Sequence, residues 1–183
     1  MSRKYKIRDQ ERLYFVTFTV VEWIDLFSRQ VYRDIFLDSL RFCQTKKGLD
    51  LCAYCIMSSH AHLILGRSGD QKLEDIIRDI KKFTSVKIIQ TIKELQEESR
   101  RNFLIHHFSK AGNSNPNNSM YQVWQQNNHP IELNTEDKIN RCLNYIHRNP
   151  VEAGIVLSPE EYLYSSAKNY AGEVGLIDVE LIV

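Results

Sequence analysis

Residues 49–66, LDLCAYCIMSSHAHLILG, constrain the fold more than any other stretch. Two strand-length apolar runs, LDLCAYCIM and HAHLILG, meet at Ser58 and Ser59, so they read as neighbouring strands joined by a short turn. The second run is interrupted by two histidines with only Ala61 between them. Side chains alternate faces along a strand, which puts His60 and His62 on one face and Ala61, Leu63 and Leu65 on the other. One face of that strand is therefore a pair of imidazoles, and the other is pure core.

The remaining elements follow from periodicity. RLYFVTFTVV (12–21) alternates Tyr14, Val16, Phe18 and Val20 with Phe15, Thr17 and Thr19 in β-rich composition, which predicts a strand. Val31, Ile35, Phe36, Leu40 and Cys43 mark one side of a helix over about 30–47, and Gly48 supplies its stop. A long helix is expected over about 71–98, its core side marked by Leu73, Ile76, Ile77, Ile80 and Phe83 and its other side by Arg78, Lys81 and Lys82. The segment SKAGNSNPNNSM, about 109–120, is too poor in apolar residues to order itself and reads as a flexible loop. A strand-like pattern resumes near 122–133, and Asn134 or Thr135 caps a last helix expected to end before Pro150. The order βαββαβα predicts an α+β fold: a ferredoxin-like antiparallel sheet with helices packed on one face and an added C-terminal helix. A single domain over 1–183 is expected, with a C-terminal tail from about 165 to 183.

Composition narrows the class. An apolar content of 43% and a charged content of 26% are ordinary for a globular chain, and no apolar run approaches the roughly 18–20 residues that span a bilayer. No membrane partner is expected, and with no apolar segment behind the charged MSRKYKIRDQ the expected location is the cytoplasm. Net charge is only +1, so a nucleic-acid partner depends on where the basic residues cluster.

They cluster on the last helix. At about 100° per residue, Ile139, Cys142, Leu143 and Ile146 form its buried stripe, while Lys138, Arg141, Tyr145 and Arg148 fall on a different arc. Tyr145 thus stands among basic residues, where a phosphate would be held. Asn149, four residues on, shares nearly the same face.

Blander readings stand beside these. Two strand histidines alone suit a surface pair as well as a metal site, and a basic stripe often only faces water. Cys52 and Cys55 form a C-x-x-C that could be combined with the histidines into a zinc set. Strand alternation places residues three apart on opposite faces, so the two cysteines read better as small core residues.

IMSSHAHLIL followed by YIHRNPVEAGIV, in a βαββ setting, resembles the single-tyrosine HUH transposases, the superfamily of the IS200-like insertion-sequence transposases. The resemblance is closest to the REP-associated tyrosine transposases, and it runs from YFVTFTVV through VWQ to SPEEYLYSSAKNY. It implies that His60 and His62 are metal ligands, that Tyr145 is the nucleophile, and that Asn149 is the third ligand. The family's middle residue between the histidines is usually hydrophobic; here it is the small Ala61.

The resemblance further implies cleavage and rejoining of single-stranded DNA near hairpins, by transesterification through a 5′-phosphotyrosine, assisted by Mg²⁺ or Mn²⁺. A free phenol has a pKa of about 10, so such a nucleophile needs the charge developing at the phosphate to be stabilised. The expected partner is single-stranded or hairpin DNA, with a homodimer left open. Arg78, Lys81, Lys82, Arg141 and Arg148, with Arg3, Lys4, Lys6 and Arg8, are the expected backbone contacts, and Trp124 or Tyr121 a stacking residue. Two alternatives stay open: a hairpin DNA-binding protein of this fold without cleavage, and a metal-dependent nuclease without a covalent intermediate.

Overall fold

The computed structural model describes residues 7–115 and 120–182. Arg3, Lys4 and Lys6 lie outside the described residues, as does part of the Asn-rich segment. Four strands, β1 (Leu13–Thr19), β2 (Leu49–Ile56), β3 (His60–Arg67) and β4 (Ile131–Leu133), form one sheet in the order β2-β3-β1-β4. Each neighbouring pair is antiparallel. This is the ferredoxin-like order expected from the sequence.

The helices divide between the two faces. α1 (Gln30–Lys47) and α2 (Leu73–Glu94) pack on each other, and α1 lies on β2. The β1 side chains Val16 and Phe18 are fully buried, and the Phe18 ring meets Phe36 of α1 and Trp124 edge-on. α4 (Glu136–Glu152) lies against β2, β3 and β4, and its Tyr145 meets Phe15, which stands on the opposite parity of β1. α1 closes on Gly48, whose φ of 67° is left-handed. A Cβ there would stand 2.7 Å from the Gly69 backbone nitrogen, so glycine is required twice over.

Several expectations are corrected. The helix expected over 71–98 stops at Glu94, as α2, and after a tight connection comes a helix not expected from the sequence, α3 (Arg101–Asn113). That connection is organised by buried Glu98, whose carboxylate accepts from Tyr32 Oη at 2.7 Å and pairs with Arg29 at 3.2 Å and Arg100 at 3.4 Å. α3 also takes in residues 109–113 of the expected flexible loop. Leu104, Phe108 and Gly112 bury its inner side, and the chain at Met120 passes so close to Gly112 that a Cβ would sit 2.4 Å from the Met120 carbonyl oxygen. Phe83, expected in the core, is 54% exposed. Thr84 takes the inward place instead, donating to the Ile80 carbonyl at 2.7 Å and accepting from Trp124 Nε1 at 2.9 Å. Only Ile131–Leu133 of the 122–133 pattern is a strand, with an isolated bridge between Trp124 and Val20. α4 is capped by the Thr135 side chain, which accepts from the Lys138 amide, but it runs through Pro150 to Glu152. The proline leaves the Ile146 carbonyl without its i+4 donor near the helix end, and burial of the Pro150 ring offsets that loss.

Beyond α4 the chain turns back along the outer side of β2. The Ile56 amide donates to the Tyr164 carbonyl at 2.9 Å, the Ser166 amide to Tyr54 at 2.9 Å, and the Glu180 amide to Leu51 at 2.9 Å. His147 of α4 shares a hydrogen bond of 2.9 Å with Ser166 Oγ, fastening the helix to this segment.

Candidate active site

The site is built by register. β1 and β3 pair so that Thr17 lies opposite His62 and Thr19 opposite His60, on the face that α4 covers. The turn before β3 is tight, with the Met57 amide donating to the His60 carbonyl at 2.8 Å, and its serines are held by the loop after β1. Val20 donates to the Ser59 carbonyl at 3.0 Å, and Phe27 donates to that of Ser58 at 2.8 Å. The histidines therefore sit at a well-anchored end of their strand.

Their rings meet edge to face with centroids 4.7 Å apart. His62 Nδ1 shares a hydrogen bond of 3.0 Å with Thr17 Oγ1, and Phe15 stacks on the ring at 5.3 Å. His60 Nδ1 meets Ser59 Oγ at 3.2 Å. Hydroxyl groups thus orient the Nδ1 side of both rings, the kind of support that fixes metal-ligating imidazoles. Burial holds both histidines below the usual imidazole range, with the His60 ring adding to the effect on His62, which is pushed down to about 3. Both are neutral at pH 7 and have lone pairs to offer a cation.

α4 delivers Tyr145 to this pair. Its hydroxyl lies 3.4 Å from His62 Nε2, its ring 5.1 Å from the His62 ring, and the side chain is still 46% exposed. With the His62 proton on Nδ1 and given to Thr17, the Nε2 lone pair accepts from the phenol. A cleft of about 470 Å³ opens here, lined from the sheet by Phe15, Thr17 and His62 and from α4 by Lys138, Arg141 and Tyr145. An electropositive rim thus surrounds an accessible hydroxyl.

The other sequence-derived residues are dispersed. Asn149 is half-buried one turn beyond Tyr145 and lies outside the lining of this cleft. Arg148 is exposed and pairs with Glu152 at 3.7 Å. Arg78 pairs with Asp75 at 2.6 Å and Asp79 at 3.7 Å. Lys81 is drawn inward, donating to the Gln125 carbonyl at 2.6 Å, and burial pushes it down to about 8; Lys82 is exposed. Trp124 belongs to the core, among Phe18, Phe27 and Phe36, so it cannot stack a base. Tyr121 lies under the Lys93 ammonium, 4.7 Å from the ring centroid.

The cysteines do not form a zinc site. A register shift between Leu51 and Ala53 puts a bulge at Cys52, which breaks the simple alternation invoked for C-x-x-C. Both thiols are nonetheless buried, which pushes each up to about 12. Among the described residues, no group of three or more His, Cys, Asp and Glu is arranged to hold a metal.

The sequence profile of the family described as "Transposase IS200 like" matches residues 14–113, more than half of the chain. The chain belongs to this family. The match includes both histidines and stops short of α4, so Tyr145 and Asn149 are placed by the structure and the YIHRNP motif alone. This IS200-like transposase is also similar in fold to a REP-associated tyrosine transposase solved bound to a REP hairpin. The TM-score is 0.62 at 16% identity, covering 100% of this chain and 95% of that one. A Deinococcus radiodurans R1 protein described as a transposase aligns at 18% identity over 80% of this chain and 94% of its own, with a TM-score of 0.48. No curated protein sequence matches. Among the described residues no helix is long and apolar enough to cross a membrane.

Thr17 and Phe15 are site residues that motif reading missed. The signal was in the sequence: once β1 and β3 are paired, the parity that buries Val16 and Phe18 sends Phe15 and Thr17 to the histidine face.

Proposed function

We propose that this IS200-like transposase cleaves and rejoins single-stranded DNA beside a hairpin through a covalent bond at Tyr145. The observation that carries the reading is the Tyr145 hydroxyl, accessible, 3.4 Å from His62 Nε2 and rimmed by Lys138 and Arg141. The hairpin as partner is supported by the similar fold of the transposase solved with one.

His60 and His62, neutral and oriented by hydroxyls, suit a divalent cation such as Mg²⁺ or Mn²⁺, and Asn149 is the proposed third ligand. When bound, such an ion would polarise the scissile phosphate. Lys138 and Arg141 hold the phosphate against α4 and offset the negative charge that grows on its oxygens. Tyr145 Oη bonds to phosphorus and gives up its proton as it does so. The bond from phosphorus to the 3′ oxygen breaks, and that oxygen takes up a proton. One phosphodiester replaces another, leaving a 5′-phosphotyrosine and a 3′-hydroxyl, so rejoining needs no further energy source. Half-exposure of Tyr145 where α4 meets the sheet fits a strand unpaired at the cleavage point.

Incubation with a labelled DNA hairpin carrying a single-stranded extension, with Mn²⁺, tests this reading. A denaturation-resistant adduct mapping to Tyr145 is expected, and Tyr145→Phe should abolish it while shifting the thermal midpoint little. An adduct at Tyr121, Tyr162, Tyr164 or Tyr170 overturns the assignment. Cleavage without any adduct favours the nuclease alternative, and hairpin binding without cleavage favours the pure binding protein.

A further inference from the structure

The loop after β1 holds two consecutive left-handed non-glycine residues, the sole such pair among the described residues, and it ends beside His60. Glu22 and Trp23 are consecutive non-glycine residues with φ of 54° and 56°, in the left-handed region that side chains disfavour. Such a pair persists only where its surroundings fix it, and here they do. Val21 and Ile24 on either side are buried, and the Val21 amide donates to the Val123 carbonyl at 2.9 Å. The Trp23 amide donates to the Val20 carbonyl at 3.1 Å. The Glu22 carboxylate is held from α3 by a hydrogen bond to His107 and by Lys110 at 3.9 Å.

The product of this conformation is the exposure of an indole. Trp23 is 58% exposed, and its ring touches His60 edge to face at 5.4 Å and 73°. A tryptophan needed only for packing would be buried, as Trp124 is at 3%. Here two unfavourable dihedral pairs hold a large apolar ring in water, next to the imidazole that packs on His62, the neighbour of the candidate nucleophile. What such a ring lacks is a flat apolar partner, and the substrate class proposed above supplies one in every unpaired base.

We propose that Trp23 is the stacking platform for one unpaired base of the single-stranded DNA, beside the phosphate held at His60, His62 and Tyr145. The proposal rests on the single-stranded DNA reading above and adds a residue that positions the strand. Stacking tolerates any base, so the platform fixes the depth to which the strand enters the cleft and leaves sequence choice to other contacts. The three rings Trp23, His60 and His62 form a continuous edge-to-face row, with Tyr145 at its other end. A base at one end of that row stands a short, fixed way from the attacking oxygen at the other.

An abasic scan tests it. The probe is a DNA hairpin with a single-stranded extension in which each unpaired base in turn is replaced by an abasic site. Binding is measured for the wild type, Trp23→Ala and Trp23→Phe. Trp23→Ala is expected to weaken binding of the intact probe by about 5- to 150-fold, the factor that stacking one base represents, while Trp23→Phe keeps most of the affinity. At one position, removing the base should cost the wild type that same factor and the Trp23→Ala protein nothing. A loss that is equal at every position in both proteins would make Trp23 a structural residue and overturn the proposal, as would unchanged binding by Trp23→Ala. Absence of wild-type binding to any single-stranded probe overturns both this proposal and the reading beneath it. A wild type that binds and forms the Tyr145 adduct without a coupled position overturns the platform alone. Thermal midpoints of both variants should stay near that of the wild type, because the ring is largely in water.

Discussion

The two faces of β1 and β3 differ as much as any two regions of the molecule, although alternate residues of the same two strands build both. On one face Val16, Phe18, Ala61, Leu63 and Leu65 are sealed, with no measurable exposure, and Phe18 meets Phe36 of α1 and Trp124 there. On the other, Phe15, Thr17 and His62 line a cleft that α4 only partly closes, with the His60 ring packed edge to face on His62. The sealed face uses shape and apolar area, and the open one uses hydrogen bonds that orient rings. A strand pair can therefore carry a core and a reaction centre one residue apart, provided its register cannot slip.

That contrast can be broken from either side. The largest effect should come from replacing His60 and His62 together by alanine: cleavage and adduct should disappear, while chemical denaturation shows a stability change of no more than about 2 kcal/mol. Phe18→Ala, one residue from Thr17 but on the sealed face, should do the reverse. It should cost about 3–5 kcal/mol in the same denaturation assay, and a fully folded Phe18→Ala sample at low temperature should still form adduct. If both changes destabilise alike, the faces are not functionally distinct.

A smaller effect sharpens the comparison. Thr17→Val keeps the shape of the side chain and removes the hydroxyl that holds His62 Nδ1, so the rate of adduct formation should fall about 10- to 100-fold with stability nearly unchanged. The last effect is read against pH. His62 and His147, on the α4 side of the sheet, are pushed by burial down to about 3 and about 4 from the ordinary 6.5. Between those values and 6.5 the unfolded chain binds more protons than the folded one, so stability should fall as pH drops below about 6.5. Each histidine contributes a slope of up to about 1.4 kcal/mol per pH unit. Denaturation midpoints from pH 7 to pH 4 should show this, with a shallower slope in His147→Gln; an unchanged slope would mean that His147 is not held neutral.

The histidine face, the sealed face and the basic arc of α4 were legible because each follows from one period, two residues for a strand and about 3.6 for a helix. Thr135 as the cap and Gly48 as the stop were legible for the same local reason. What escaped depended on contacts distant in sequence. The expected helix ran to 98 and α3 went unread because the break at 95–100 is set by Glu98 meeting Tyr32 and Arg29 across the fold. Thr84 replaced Phe83 inside because Trp124 needed an acceptor for its indole N–H. Pro150 stayed helical because its ring found a buried place. Trp23 had no pattern at all, since its exposure comes from two backbone angles fixed by contacts with α3, the β2–β3 turn and Val123.

The return of the chain along β2 has a consequence for the solution behaviour of the protein. β2 is an outermost strand, eight residues long and buried except at Asp50, the sort of edge on which foreign strands readily add. Tyr164, Ser166 and the Glu180 amide occupy its outward hydrogen-bonding groups at Ile56, Tyr54 and Leu51. A protein cut before Tyr164 would present those groups, and the apolar side chains beside them, to any neighbouring molecule. Clumping in concentrated samples, rather than loss of chemistry, would then be the first symptom of its removal.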